Sequence, residues 1–179
     1  MTKRILHLAT AALAVSASFA WAADVPPSVQ RGLYEDGHWS VAGVAFADGN
    51  RDCVLANTQR MSSGETAFVL NEFGSGVSTI MFRDTTITWD ASGGSVTFWV
   101  DDNPSFTALT RTDATRNLLI VPLANTSGSV MTTFLHQLTS GHELHLVTEV
   151  KTETFDLYGS SPAFDAFGHC IAAMSSDGG

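Results

Sequence analysis

From residue 38 onward, apolar and polar positions alternate in short runs. "HWSVAGVAF" comes first, then a turn at Asp48-Gly49-Asn50, then "CVLANTQ". "TAFVLNEF", "VSTIMFR", "TTITWD", "SVTFWVDD", "SFTALTR" and "LLIVPL" follow. Between them lie turn clusters such as Ser62-Ser63-Gly64, Gly74-Ser75-Gly76 and Ser92-Gly93-Gly94. A period of two puts successive side chains on opposite faces, and β-branched and aromatic residues suit a half-buried sheet. Many short strands with frequent turns predict a mainly β domain, an antiparallel β-sandwich or curved sheet. Before these runs, Asp24 to Asp36 is polar with a Pro26-Pro27 pair and reads as an extended lead-in.

The period changes near residue 127. Val130, Met131, Phe134, Leu135 and Leu138 recur at helical spacing, with Ser127 or Ser129 to cap the start and Gly141 to end the run. Two strands follow, "ELHLVTEV" and "TFDLY". A last helix carries Phe164, Phe167, Ile171 and Met174 on one face. Two short helices are therefore predicted, one near 129–140 and one over 161–174.

The start of that last helix, "FDLYGSSPAFDAFGHC", raises the question of a serine nucleophile. A nucleophile elbow reads Gly-x-Ser-x-Gly, because the backbone must pass tightly around the serine. Taking Ser161 as the nucleophile, Ala163 stands where the closing glycine belongs. A hydrolase would also need an Asp and then a His further along, and only Asp165 and His169 remain, on the same short helix. Ser160 and Ser161 are read instead as the helix cap, with Pro162 in the first turn where its missing N–H costs little.

At the other end of the chain, Lys3 and Arg4 precede an apolar, alanine-rich run from Ile5 to Phe19 and a small-x-small site at Ala20-Trp21-Ala22. This is the layout of a Sec-type signal peptide, too short in its apolar part to span a bilayer. Residues 1–22 are expected to be the signal peptide and 23–179 a single β-rich domain, periplasmic or secreted, with no transmembrane segment. The formal net charge is −9, and losing Lys3 and Arg4 makes it more negative by two. The remaining Lys and Arg are dispersed, so the chain lacks the basic patch that nucleic acid requires.

The chain has two cysteines, Cys53 and Cys170. In an exported protein a disulfide between them is expected. It would tie an early strand to the last helix.

The remaining chemistry is sparse. His142 and His145 in "GHELH" are three apart, not the four that put two zinc ligands on one helical face. "DGNRDC" begins like a calcium loop, with Asp48, Asn50 and Asp52 at alternate positions. It then fails, with Cys53 where Gly belongs and Gln59 where Glu belongs. Asp101 and Asp102 are adjacent and precede Asn103-Pro104, the pattern of a turn and not of two carboxyls facing across a glycoside. No catalytic, cofactor or metal residue is assigned. Trp39, Trp89 and Trp99 could line a ligand groove, but aromatic residues on alternating strands are more often core, and each is read first as core. Trp89 and Trp99, with His142 and His145, form the candidate ligand or partner surface, and Trp89 is expected to be the most exposed because a turn follows it.

"HWSV" followed shortly by "DCVLA", and the closing "FDLYGSSPAFDAF", resemble the invasion-associated locus B family of exported proteobacterial proteins. "LLIVPL", a short helix and "GHELHLV" fall between them in the family's order. The chain departs at Gly43, where the family tends to carry a cysteine and form a local disulfide. The resemblance implies a small β-rich envelope or secreted factor, in some members linked to host-cell invasion, with no catalytic apparatus to carry over. The function expected is binding of a protein partner in the envelope or on a host surface. The alternatives are a periplasmic hydrolase or a small-ligand carrier with its site in a cleft of the sandwich.

Overall fold

The computed structural model describes residues 28–61, 64–73, 78–89, 93–123 and 128–176. The expected signal peptide, Pro26-Pro27, the alternative cap Ser127 and the turn residues at 62–63, 74–77 and 92 lie outside them. The strands are β1 (Ser28–Asp36), β2 (Trp39–Phe46), β3 (Arg51–Met61), β4 (Gly64–Phe73), β5 (Ser78–Asp84), β6 (Gly94–Val100), β7 (Phe106–Asp113), β8 (Leu118–Pro122), β9 (Glu143–Val147) and β10 (Thr152–Asp156). The helices are α1 (Gly128–Ser140) and α2 (Ser160–Ser176). The strands form one antiparallel sheet in the order β1-β2-β3-β4-β5-β8-β7-β6-β9-β10. The curved sheet with two short helices is as the periodicity predicts.

Two segments differ from expectation. The polar lead-in is an edge strand, β1, paired with β2 from Ser28↔Phe46 to Asp36↔Trp39. Its polarity reflects the solvent it faces, since nearly all of it is exposed. "TTITWD" is not a strand. The Asp84 carboxylate accepts from both the Thr86 amide and the Thr86 hydroxyl, a turn made by a side chain. Asn117, at φ 53°, then donates its amide to the carbonyls of Asp84 and Ile87 and accepts from the Trp89 amide. Side chains, not a neighbouring strand, thus satisfy this backbone.

The sheet curls until its far end lies across its near half. Phe155 on β10 meets Phe68 on β4 and Phe82 on β5, with ring centroids 6.3 and 6.2 Å away. The Asn57 side-chain amide on β3 donates to the Asp156 carbonyl at 2.7 Å. The core enclosed here includes Leu55, Leu70, Ile80, Val121, Val96, Val100, Leu144 and Leu146.

Helix α2 covers β1 to β3 with Ala163, Phe167 and Cys170 buried. Phe164 meets Trp39 edge-on at 6.0 Å, and the Trp39 indole N–H donates to the Tyr158 carbonyl. Cys53 and Cys170 are bonded, their Cα atoms 6.0 Å apart. Gly43 pairs with Cys53 across the strands, and a Cβ on it would lie 3.7 Å from the Cys170 Sγ. The glycine that marks the departure from the resembled family therefore sits directly beside this disulfide. Gly141 ends α1 where a Cβ would collide with Val100 and the Gln137 carbonyl.

The disulfide closes a loop between residues 117 positions apart. On the chain-entropy account, replacing both cysteines by alanine lowers unfolding stability by about 4–5 kcal/mol. Urea denaturation of the oxidised protein and the double variant measures it. A loss near zero would show that the helix packs on β3 without help from the bridge.

Candidate functional site

Along β6 the residues Val96, Phe98 and Val100 are buried, so Thr97 and Trp99 point outward. Leu144 and Leu146 are buried on β9, so His145 and Val147 point outward with them. Register aligns Trp99 with His145 and His145 with Thr154, and Thr97 with Val147 and Val147 with Thr152. The rings of Trp99 and His145 stack at 5.1 Å and 25°. The imidazole is fixed from both sides, with Nδ1 3.2 Å from the Thr154 hydroxyl and Nε2 3.5 Å from the Glu143 carboxylate. Beyond the stack, the Thr97 and Thr107 hydroxyls are 3.0 Å apart, and Leu109 is 81% exposed. The result is an aromatic platform edged by hydroxyls and small apolar groups on an otherwise acidic chain.

His142 stands at one end of this platform, before the strand begins, with a side chain that is almost fully exposed. It is held through Asp101, which sits at φ 49° and accepts from the backbone amides of His142 and Glu143. Burial would raise the Asp101 carboxyl, but these amides outweigh it and hold it below its ordinary range. Asp101 thus starts β9 and is spent on structure.

Trp89 does not belong to the platform. It is 5% exposed and part of the main core, because Asn117 folds its segment back over the sheet. Ser160 opens α2, and its hydroxyl donates to the Thr139 carbonyl at 3.0 Å, joining the start of one helix to the end of the other. Ser161 is exposed. Among the described residues, no three His, Cys, Asp or Glu side chains converge as metal ligands, and no helix is long and apolar enough to cross a membrane.

Sequence reasoning missed two features. One is a cavity of about 290 Å³ between β6, β7 and α1, lined by Phe98, Phe106, Phe134, Ala108, Leu123 and Val130. Its three phenylalanines lie 4.9 to 5.8 Å apart, centroid to centroid. The other is an ionic cluster: the Lys151 ammonium bridges the carboxylates of Asp84 and Glu153 and reaches the Thr86 hydroxyl at 3.2 Å. Asp84 and Glu153 are both buried. Burial pushes Asp84 up, but Lys151 and Thr86 prevail and hold it at about 2. Burial dominates at Glu153 and leaves it raised, with Asp84 adding to the effect. Lys151 is raised, its desolvation outweighed by its two carboxylates, so it remains an ammonium and cannot serve as a base. The cluster ties β5 to the β9–β10 hairpin.

A third buried carboxyl, Asp52 on β3, is raised to about 6 by burial, an effect that Asp48 reinforces and a hydrogen bond from Asn71 partly offsets. A carboxyl raised in the folded state binds its proton more tightly than in the unfolded chain, so stability grows as pH falls through the folded value. Asp84 acts oppositely, and its contribution is lost only as pH drops toward about 2. The protein is therefore expected to be more stable near pH 5 than at pH 8. Asp52→Asn should raise stability at pH 8 by about 2 kcal/mol relative to its effect at pH 4. Thermal melts of both proteins across this range check it, and parallel pH profiles would refute the assignment.

No family model matches the chain, and no curated protein matches it. Among solved structures, the crystal structure of invasion associated protein B from Bartonella henselae has the same fold, at a TM-score of 0.54 and 17% identity. The match covers 79% of this chain and 97% of that one.

Proposed function

We propose that this chain is an exported, non-enzymatic envelope or secreted module that binds a protein partner through the Trp99–His145 platform. The observation that carries this reading is the platform itself, a rigid aromatic pair on the outward face of β6, β9 and β10. Trp99 is half-buried, and outward-facing tryptophans on ordered strands are efficient contact residues, because they bury large area at little cost in side-chain entropy. The disulfide supports export, as does the leader-like N-terminus. The shared fold with a protein named for invasion supports a role in the envelope or at a host surface. The polar clusters that could have suggested catalysis serve the architecture instead. Asp101 begins β9, Lys151 joins β5 to β10, and Ser160 joins α2 to α1.

A second reading, a carrier of a small apolar ligand, is favoured by the phenylalanine-lined cavity beside α1. Only the first reading uses the outward platform, and that separates the two.

The test is crosslinked capture of the tagged protein in its own cell envelope, comparing wild type with a Trp99→Ala, His145→Ala double variant. A specific partner recovered with wild type should fall by about tenfold or more with the variant, while the melting temperature stays near wild type. Equal recovery from both, or no partner with either, would overturn the reading.

A further inference from the structure

The open sheet has two edges, and they are finished differently. At β10, side-chain amides of Asn57 and Gln59 reach the Asp156 carbonyl from β3. At β1, nine residues run along the outer edge, and no other element among the described residues hydrogen-bonds to its free side. Two of the chain's exposed large apolar side chains lie on this strand, Val29 at 75% and Leu33 at 42%. Such an edge is a template for another strand.

The order of residues on β1 says which strand fits. A bulge between Gly32 and Tyr34 leaves Leu33 as the extra residue. Arg31 pairs with Gly43 and Asp36 with Trp39, which places both on the face that carries α2. Gly32 pairs with Ala42 and Glu35 with Ser40, on the opposite face. When β1 lies antiparallel to a second copy of itself with Arg31 opposite Asp36, Gly32 stands opposite Glu35, and each face meets its own kind. Leu33 and Tyr34 then meet across the two-fold axis, and the two bulges fall together. A slip of one residue would oppose the two faces, and a slip of two would set Arg31 against Tyr34 and lose both charge pairs.

We propose that β1 is a homodimer edge: a second copy of this chain pairs with it antiparallel, with Arg31 of each copy opposite Asp36 of the other, continuing the sheet across a two-fold axis. The interface is isologous, so one pattern supplies both charge pairs. It uses neither the Trp99–His145 platform nor the partner proposed to bind there.

Sedimentation equilibrium of the purified protein should show a monomer–dimer equilibrium within about 1–100 μM. Arg31→Asp and Asp36→Arg each place like charges opposite one another twice, and each should weaken association by about tenfold or more. In an equal mixture, the Arg31→Asp copy is acidic at both positions and the Asp36→Arg copy is basic at both. Opposite charges then face each other at both contacts, and the mixture should recover the wild-type constant. Both positions are exposed, so unchanged melting temperatures are expected and would show that the variants fold. A wild-type protein that stays monomeric throughout this range overturns the proposal and leaves the edge to solvent or a foreign strand. Single variants that associate like wild type, or a mixture no tighter than its components, also overturn it.

Discussion

The fold depends on β10 lying back over β3, β4 and β5. These strands are far apart in the sheet's hydrogen-bonding order and are joined by no backbone ladder. The joint is made by side chains instead. Phe155 meets Phe68 and Phe82, Asn57 bonds to the Asp156 carbonyl, and Lys151 bridges Asp84 and Glu153 at the rim. Without the aromatic contact the two halves of the sheet would each expose an apolar face, and a sheet needs a second layer to bury that face. The ionic cluster alone would not hold them. Desolvating three charges costs free energy that their attraction only roughly returns, so the cluster sets which residues meet more than how strongly they hold.

Much of this was legible in the chain because alternation and helical spacing are local signals. β2 to β8 follow the apolar runs, both helices follow their spacing, and two cysteines admit one intramolecular pairing. What was not legible depends on partners distant in sequence. Trp89 is followed by turn residues and reads as the tryptophan nearest to solvent, yet Asn117 draws its segment inward from 28 positions away. Residues 85–89 have strand-like composition, but Asp84 and Asn117 satisfy their backbone first. β1 is polar because it is an edge, and a polar strand leaves no apolar alternation to read. The outward pairing of Trp99 with His145 needed the β6–β9 register, which spacing alone does not supply.

The same physics decides where the perturbed carboxyls sit. A catalytic acid or base needs a perturbed group facing a cleft that a substrate can enter. Here the perturbed carboxyls Asp84 and Glu153 are buried against Lys151, and Asp52 is buried beside Asn71. The cavity, in turn, is lined by phenylalanine and aliphatic side chains with only Ser105 and Thr107 as hydroxyl neighbours. Among the described residues, these three buried carboxyls and the phenylalanine-lined cavity lie in different parts of the molecule. The outside carries an aromatic–imidazole pair on one face and, at the far end of the sheet, a strand edge that carries Arg31 and Asp36. These two surfaces share no residue, so a dimer formed at β1 would leave both Trp99–His145 platforms free.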